Sequence, residues 1–278
     1  MQQEKSVAEQ EIRAFEQHLT QEEKCEGTKE KYLRDVYRFW TFLQGAPLCK
    51  ERVTAWKEML LKKGYCPTTV NSMLAAVNSF VTFLGRGDCR VKALRVQRRL
   101  FREPERELTR EEYQRLLTQA EERLALVMET ICATGIRVSE VQYITVEAAR
   151  AGRADIALKG KIRTILLPSK LCRKLLKYAK RKKITSGKVF LTRGGQGLSR
   201  KQIWGEMKQL CKRARVAPTK VFPHNLRHLF ARCFYRACRD VVKLADMLGH
   251  SSIETTRLYL VATGVEHQKQ LEQLRLIR

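Results

Sequence analysis

Six side chains in the second part of the sequence carry chemistry by type and by placement: Arg137, Lys159, His224, Arg227, His250 and Tyr259. Each falls at a loop–helix junction or a turn, where side chains from separate elements converge. Arginine forks match phosphate oxygens two at a time. A tyrosine beside them is a nucleophile toward phosphorus and leaves a covalent intermediate. A lysine on a β-turn protonates a leaving oxygen. The sequence offers no carboxylate cluster and no phosphate-cradling glycine loop, so transfer that depends on a metal or a nucleotide is disfavoured. Its nine cysteines are scattered singly, with no C-x-x-C pair. That pattern gives neither a zinc site nor a disulfide framework, and reduced thiols are expected. No metal and no cofactor are assigned.

These residues need elements to hold them. In LADMLGHSSIETTRLY a helix closes at Gly249, because glycine takes the left-handed C-terminal position at no Cβ cost. Ser251 and Glu254 form an S-x-x-E capping box for the next helix, which carries Tyr259 about two turns in. In VFPHNLRHLF, Pro223 suits a first helical turn, and His224 and Arg227 share one face. His228 reads as a packing or helix-surface residue. Tyr235, two turns beyond on the same helix, is a weaker nucleophile candidate. Arg137 follows Gly135 in ATGIRVSEV, with Ser139 and Glu140 leading a further helix. Lys159-Gly160-Lys161 joins two short strands, 153–158 and 162–167, as a hairpin. The short turn leaves Lys161 as an alternative to Lys159. His18 and His267 look like ordinary surface residues.

The rest of the chain reads as scaffold. Helices are expected over 7–19, 29–43 with Thr28 as cap, 53–63 and 68–84. In the second of these, Tyr32, Val36, Phe39, Trp40 and Leu43 make a helical stripe. Residues 1–86 thus form an all-helical domain. Residues 87–107 follow as a linker, with seven basic and two acidic side chains between Arg90 and Arg106. Arg95, Arg98, Arg99 and Arg102 are its phosphate-contact candidates. A capping box at Thr109 and Glu112 opens a second domain, 108–278. It holds helices over 110–121, 123–134, 170–183 and 200–214, the last capped by Ser199 and Gln202, with a short strand at 189–191. The helix at 170–183 adds Lys174, Lys177 and Arg181 as contact candidates. Leu271, Leu274 and Ile277 make a stripe in a C-terminal docking helix. The fold class is mostly α, with one small β-hairpin in the second domain.

The chain has 278 residues, with 55 basic against 29 acidic side chains and a formal charge of +26. An excess of that size points to a polyanionic partner. No apolar run approaches a membrane span, and the polar, acid-containing N-terminus is neither a signal nor a transit peptide. Nucleic acid is therefore favoured over a membrane, in the cytoplasm.

The order and spacing of Arg137 in ATGIRVSE, Lys159 in LKGK, His224 and Arg227 in HNLR, His250 in LGHSS, and Tyr259 closely resemble the tyrosine recombinases of the phage-integrase and Xer type. His250 lies 23 residues after Arg227, and Tyr259 nine after His250. The resemblance covers nearly the whole chain, with residues 1–86 resembling the family's helical core-binding domain and 108–278 its α+β catalytic domain, two domains that clamp DNA. It implies a site-specific recombinase that breaks and rejoins DNA without metal or ATP. Tyr259 would form a 3′-phosphotyrosyl link, Arg137 and Arg227 would hold the non-bridging oxygens, and Lys159 would be the general acid. His224 would aid proton transfer, His250 would bond the phosphate, and Glu140 would orient the site. Strand exchange would pass through a Holliday junction in a homo-tetramer joined through 266–278, with or without accessory proteins. With about 25 residues ahead of the core-binding domain, the chain resembles the simple Xer-like or mobile-element enzymes that lack an arm-binding domain. A non-catalytic DNA-binding protein on this scaffold and a type IB topoisomerase are the alternatives.

Overall fold

The computed structural model describes residues 9–96, 106–158, 161–250, 252–260 and 272–274. The chain divides into two compact units, Met1–Arg98 and Arg99–Arg278. Among the described residues, no helix is long and apolar enough to cross a membrane.

The first unit is built from four helices: α1 (Glu9–Gln21), α2 (Glu26–Leu43), α3 (Lys50–Lys62) and α4 (Pro67–Phe83). Each buries one stripe at helical spacing, such as Ile12, Phe15 and Leu19 on α1 and Val53, Trp56 and Leu60 on α3. Aromatic rings lock the stripes together. Phe39 meets Trp56 edge-on at 5.3 Å between ring centroids, and Phe15 meets Phe80 at 5.2 Å. The expected Thr28 cap is displaced. Helix α2 starts three residues earlier, with Cys25 in the N-cap position and its sulfur 3.1 Å from the Thr28 hydroxyl. Cys49 and Cys66 stand at the same position in α3 and α4.

The basic segment after α4 begins as part of this unit. Cys89 and Val91 are buried in its core. Two asparagines seven residues apart on α4 then hold the extended backbone as a neighbouring strand would. Asn78 accepts from the Val91 N–H at 3.1 Å and donates to its carbonyl at 2.9 Å. Asn71 does the same for Leu94, at 2.7 and 2.9 Å. Arg95 is exposed beyond this clamp. Arg98, Arg99 and Arg102 lie outside the described residues.

The second unit opens on α5 (Arg110–Gln119), where Thr109 and Glu112 form the expected capping box. Helix α6 (Glu122–Thr134) ends on left-handed Gly135. The helix expected at Ser139 is instead a 3-10 turn, Val138–Tyr143, followed by α7 (Val146–Ala151). Thr145 caps α7 through the Ala148 N–H at 3.0 Å, and this fresh start breaks what the sequence suggested was one helix. Strands β1 (Arg153–Leu158) and β2 (Lys161–Leu166) pair antiparallel, with Leu158 opposite Lys161. Lys159 and Gly160, between them, lie outside the described residues. Helices α8 (Ser169–Arg181) and α9 (Arg200–Ala214) follow. The expected strand at 189–191 is reduced to single bridges, Thr145 with Lys188 and Leu191 with Gly197. The unit closes with α10 (Pro223–Cys238), α11 (Val241–Leu248) and α12 (Ile253–Leu260). Of the docking helix expected at the C-terminus, only 272–274 are described.

Helix α10 packs along α6, and α12 packs against both α10 and α11. A small cluster of Phe230, Ala231, Leu244, Leu248 and Tyr259 joins them. On α8, Lys174 is 2.5 Å from Glu129 of α6 and Arg181 pairs with Glu122, whereas Lys177 is exposed.

Trp56 is the largest fully buried side chain of the first unit. Truncating it to alanine should destabilise that unit by about 3–5 kcal/mol. Urea unfolding followed by circular dichroism will check this. A loss below about 1 kcal/mol would mean that the four-helix core does not depend on the indole.

Candidate active site

Arg227 is the centre of the site. It projects from the first turns of α10 and is 1% exposed. A guanidinium so deeply buried must have all its strong donors matched. Here two helix C-termini supply the acceptors. Nη1 bonds the carbonyl of Gly135, which ends α6. Nη2 donates to the carbonyl of Leu248, the last residue of α11, at 2.8 Å. The partial negative charge at helix C-termini suits a buried cation. Burial still pushes the Arg227 pKa below its ordinary value, against the raising effect of Tyr259.

Gly135 makes this approach possible. It has a φ of +67°, and a Cβ there would fall well inside contact distance of the Phe230 ring. The same applies at Gly249, with φ of +64°, where a Cβ would meet Arg163 Cδ at 2.7 Å.

His250 follows Gly249 directly. Its Nε2 lies 2.9 Å from Arg227 Nη2, and its Nδ1 lies 2.9 Å from the hydroxyl of fully buried Thr256. A guanidinium can only donate, so Nε2 is the acceptor and the proton sits on Nδ1, facing Thr256. Burial, then the charges of Arg227, Arg137 and Arg163, pull the His250 pKa down to about 4. The imidazole is therefore neutral at pH 7.

Tyr259 lies on α12, 5% exposed. Its hydroxyl is 3.4 Å from Arg227 Nε and 3.4 Å from His224 Nε2. His228 stacks on the Tyr259 ring, with centroids 4.2 Å apart and planes at 29°, and His224 stands edge-on to His228 at 4.6 Å. His228 is thus a packing residue as the sequence suggests, but the surface it packs on is the phenol itself. Tyr235 sits eight residues along α10 from Arg227, a rise of about 12 Å, against the Phe230 cluster.

Arg137 leaves the 3-10 turn beside Glu140, which is 1% exposed. Glu140 accepts from the Arg137 backbone N–H at 2.7 Å and from Arg137 Nη1 at 3.1 Å. A third donor was not expected: Arg163 Nη2 reaches Glu140 at 2.6 Å. A signal for it exists in the sequence. Arg163 alternates with Ile165 and Leu167, both buried, so it occupies the inward register of β2. A charged residue on the core face of a strand needs a buried partner.

The structure therefore brings Arg137, Glu140, His224, Arg227, His250 and Tyr259 into one site and adds Arg163, His228 and Thr256. Three guanidinium groups stand against one carboxylate, with a neutral imidazole among them. Such a site suits an anion, and it presents a phenol hydroxyl beside one group able to take its proton, His224. No group of three or more histidine, cysteine or acidic side chains fit for a metal occurs among the described residues.

The His250 environment sets a pH dependence. The unfolded chain takes up a proton on this histidine near its ordinary pKa of about 6.5, whereas the folded chain refuses it until about pH 4. The His250 contribution to stability is thus intact above pH 6.5 and is lost as the pH falls toward 4. Imidazole NMR shifts followed from pH 8 to 3.5 should show His250 titrating near pH 4, and His250→Asn should flatten the acid loss of stability.

The chain resembles known proteins over nearly its whole length. Residues 106–264 match the phage integrase family, and residues 12–87 match the phage integrase N-terminal SAM-like domain. Tyrosine recombinase XerA of Thermococcus kodakarensis is 29% identical over 279 residues, covering 96% of this chain and 95% of its own. Tyrosine recombinase XerC of Roseiflexus castenholzii is 29% identical, covering 93% and 90%. Among solved structures, a lambda integrase dimer bound to a COC′ core site aligns with a TM-score of 0.72 at 17% identity, covering 92% of this chain and 78% of that one. XerH site-specific recombinase bound to difH substrate, in its pre-cleavage complex, aligns with a TM-score of 0.69 at 16% identity, covering 95% and 84%. With more than half of its length matched by the family's model, the chain belongs to the phage integrase family.

Proposed function

We propose that this protein is a site-specific DNA recombinase that cuts and rejoins strands through Tyr259. The observation that carries the reading is the Tyr259 hydroxyl, held 3.4 Å from both Arg227 and His224 in a site with excess positive charge. The XerA and XerC relatives are tyrosine recombinases by name, which supports the same chemistry here.

The Tyr259 oxygen attacks a DNA phosphorus, its proton passing toward His224. The bond from phosphorus to the 5′-oxygen breaks, and that oxygen takes a proton from Lys159. Arg137 and Arg227 hold the non-bridging oxygens, where charge builds in the transition state. His250 hydrogen-bonds the phosphate, and Glu140 places Arg137. The diester energy is kept in the 3′-phosphotyrosyl bond, so rejoining needs neither ATP nor a metal ion. The helical first unit acts as the core-binding domain and supplies duplex affinity together with the basic segment around Arg95. Exchange proceeds through a Holliday junction in a tetramer whose protomers are linked by residues 266–278.

The test is covalent trapping on nicked suicide substrates drawn from the DNA that flanks the gene, without metal or ATP. Wild type should give a denaturant-resistant adduct. Tyr259→Phe should give none while binding duplex within about threefold of wild type. An adduct from the phenylalanine variant would remove Tyr259 as nucleophile. Relaxation of supercoils by a monomer, with no exchange, would instead favour a type IB topoisomerase. Deleting 266–278 should weaken synapsis more than single-site binding, as gel-shift assays on one and two sites will show. Equal losses would overturn the linking role of the tail.

A further inference from the structure

Arg163 sits where three parts of the site meet. Its strand, β2, leads out of the hairpin turn. Its Nη2 donates to Glu140, the carboxylate that also holds both the backbone and the side chain of Arg137. Its Nη1 points at the carbonyl of Met247, at 3.5 Å, near the end of α11. Its stem fills the space over Gly249, the residue before His250.

Arg163 is an expensive way to fill that space. Its Nε is buried with no hydrogen-bond partner among the described residues. An orphaned donor of that kind calls for a reason. A residue chosen for packing alone would carry no such atom. What only arginine offers is a planar fork that sends two N–H groups in fixed directions to acceptors on different segments. Arg137 is considerably more exposed than Arg163, with side chains 41% and 18% accessible. Without Arg163, the buried Glu140 carboxylate would face one half-open guanidinium and a backbone N–H. A buried charge with reduced compensation is costly and moves toward water, and Arg137 would lose its anchor.

We infer that Arg163 is a positioning residue for the phosphate-binding pair: it fixes Arg137 through Glu140 and seats the His250 turn through Met247 and Gly249, so that both reach one anion together. The inference rests on the recombinase reading for its rate effect, but not for its effect on His250. Arg163 faces His250 together with Arg227, Arg137 and His224, and all four push its protonation toward lower pH. Removing one of these charges therefore has a readout independent of any reaction.

The experiment compares wild type, Arg163→Met and Arg163→Lys in three measurements: His250 titration by NMR, duplex affinity, and single-turnover adduct formation on the suicide substrate. The methionine variant should raise the His250 midpoint from about 4 and slow adduct formation by about tenfold or more, with duplex affinity changed less than about threefold. The lysine variant keeps the charge and is the safeguard if methionine fails to fold. It should leave the His250 midpoint low yet still slow adduct formation by about tenfold, because an ammonium cannot bridge Glu140 and Met247 together. A lysine variant that cleaves at the wild-type rate overturns the bridging role. An unchanged His250 midpoint in a folded methionine variant overturns the coupling to the turn. If wild type gives no adduct, the recombinase reading fails by itself, while the His250 titration still decides whether Arg163 is coupled to the turn.

Discussion

A guanidinium buried to 1% exposure is the constraint around which the second unit is arranged. Arg227 is held there because α6 and α11 both end on it, each offering a carbonyl that has no partner within its own helix. Both helices stop through a left-handed glycine, Gly135 and Gly249, and each glycine faces a bulky neighbour that a Cβ would displace. The residues just past those glycines are Arg137 and His250. Helix termination, charge compensation and the delivery of functional side chains are thus one arrangement. Tyr259 completes it by lying over Arg227, with the guanidinium carbon 6.0 Å from its ring centroid.

The same logic explains how much of the site could be read from the sequence. Glycines at 135 and 249, Pro223 and the capping box at Thr109 are local signals, and each marks a boundary that the structure keeps. Arg137, His224, Arg227 and His250 sit at or just inside such boundaries, and Tyr259 follows about two turns into the next helix, so local signals together with the family resemblance mark them. Arg163 lies inside a strand and shows itself only through the pairing register, which sets its inward face. The stack of His228 on Tyr259 depends on how α12 crosses α10, a tertiary fact with no local trace.

The differences in the scaffold have physical reasons too. Cysteine is a weak N-cap by propensity, so Cys25, Cys49 and Cys66 do not announce the helices they begin. The asparagines at 71 and 78 read as polar positions on α4, whereas they serve as the missing edge of a strand for residues 91 to 94. Charge content marked the segment after Gly87 as a linker, but the buried Cys89 and Val91 tie its beginning to the first unit. In both cases a long-range contact outweighs composition.

The neutral His250 has a thermodynamic consequence for ligand binding. Its Nε2 is occupied by Arg227 in the free protein, and its charged form is disfavoured by burial and by neighbouring arginines. An anion bound beside Arg227 and His250 would offset the field of the guanidinium. The imidazole would then become more basic, and the complex would hold more protons than the separated partners at mildly acidic pH. Association would thus be linked to proton uptake: its calorimetric heat would depend on the ionisation enthalpy of the buffer, and its affinity would rise as the solution becomes mildly acidic, over and above any release of counterions from a nucleic acid.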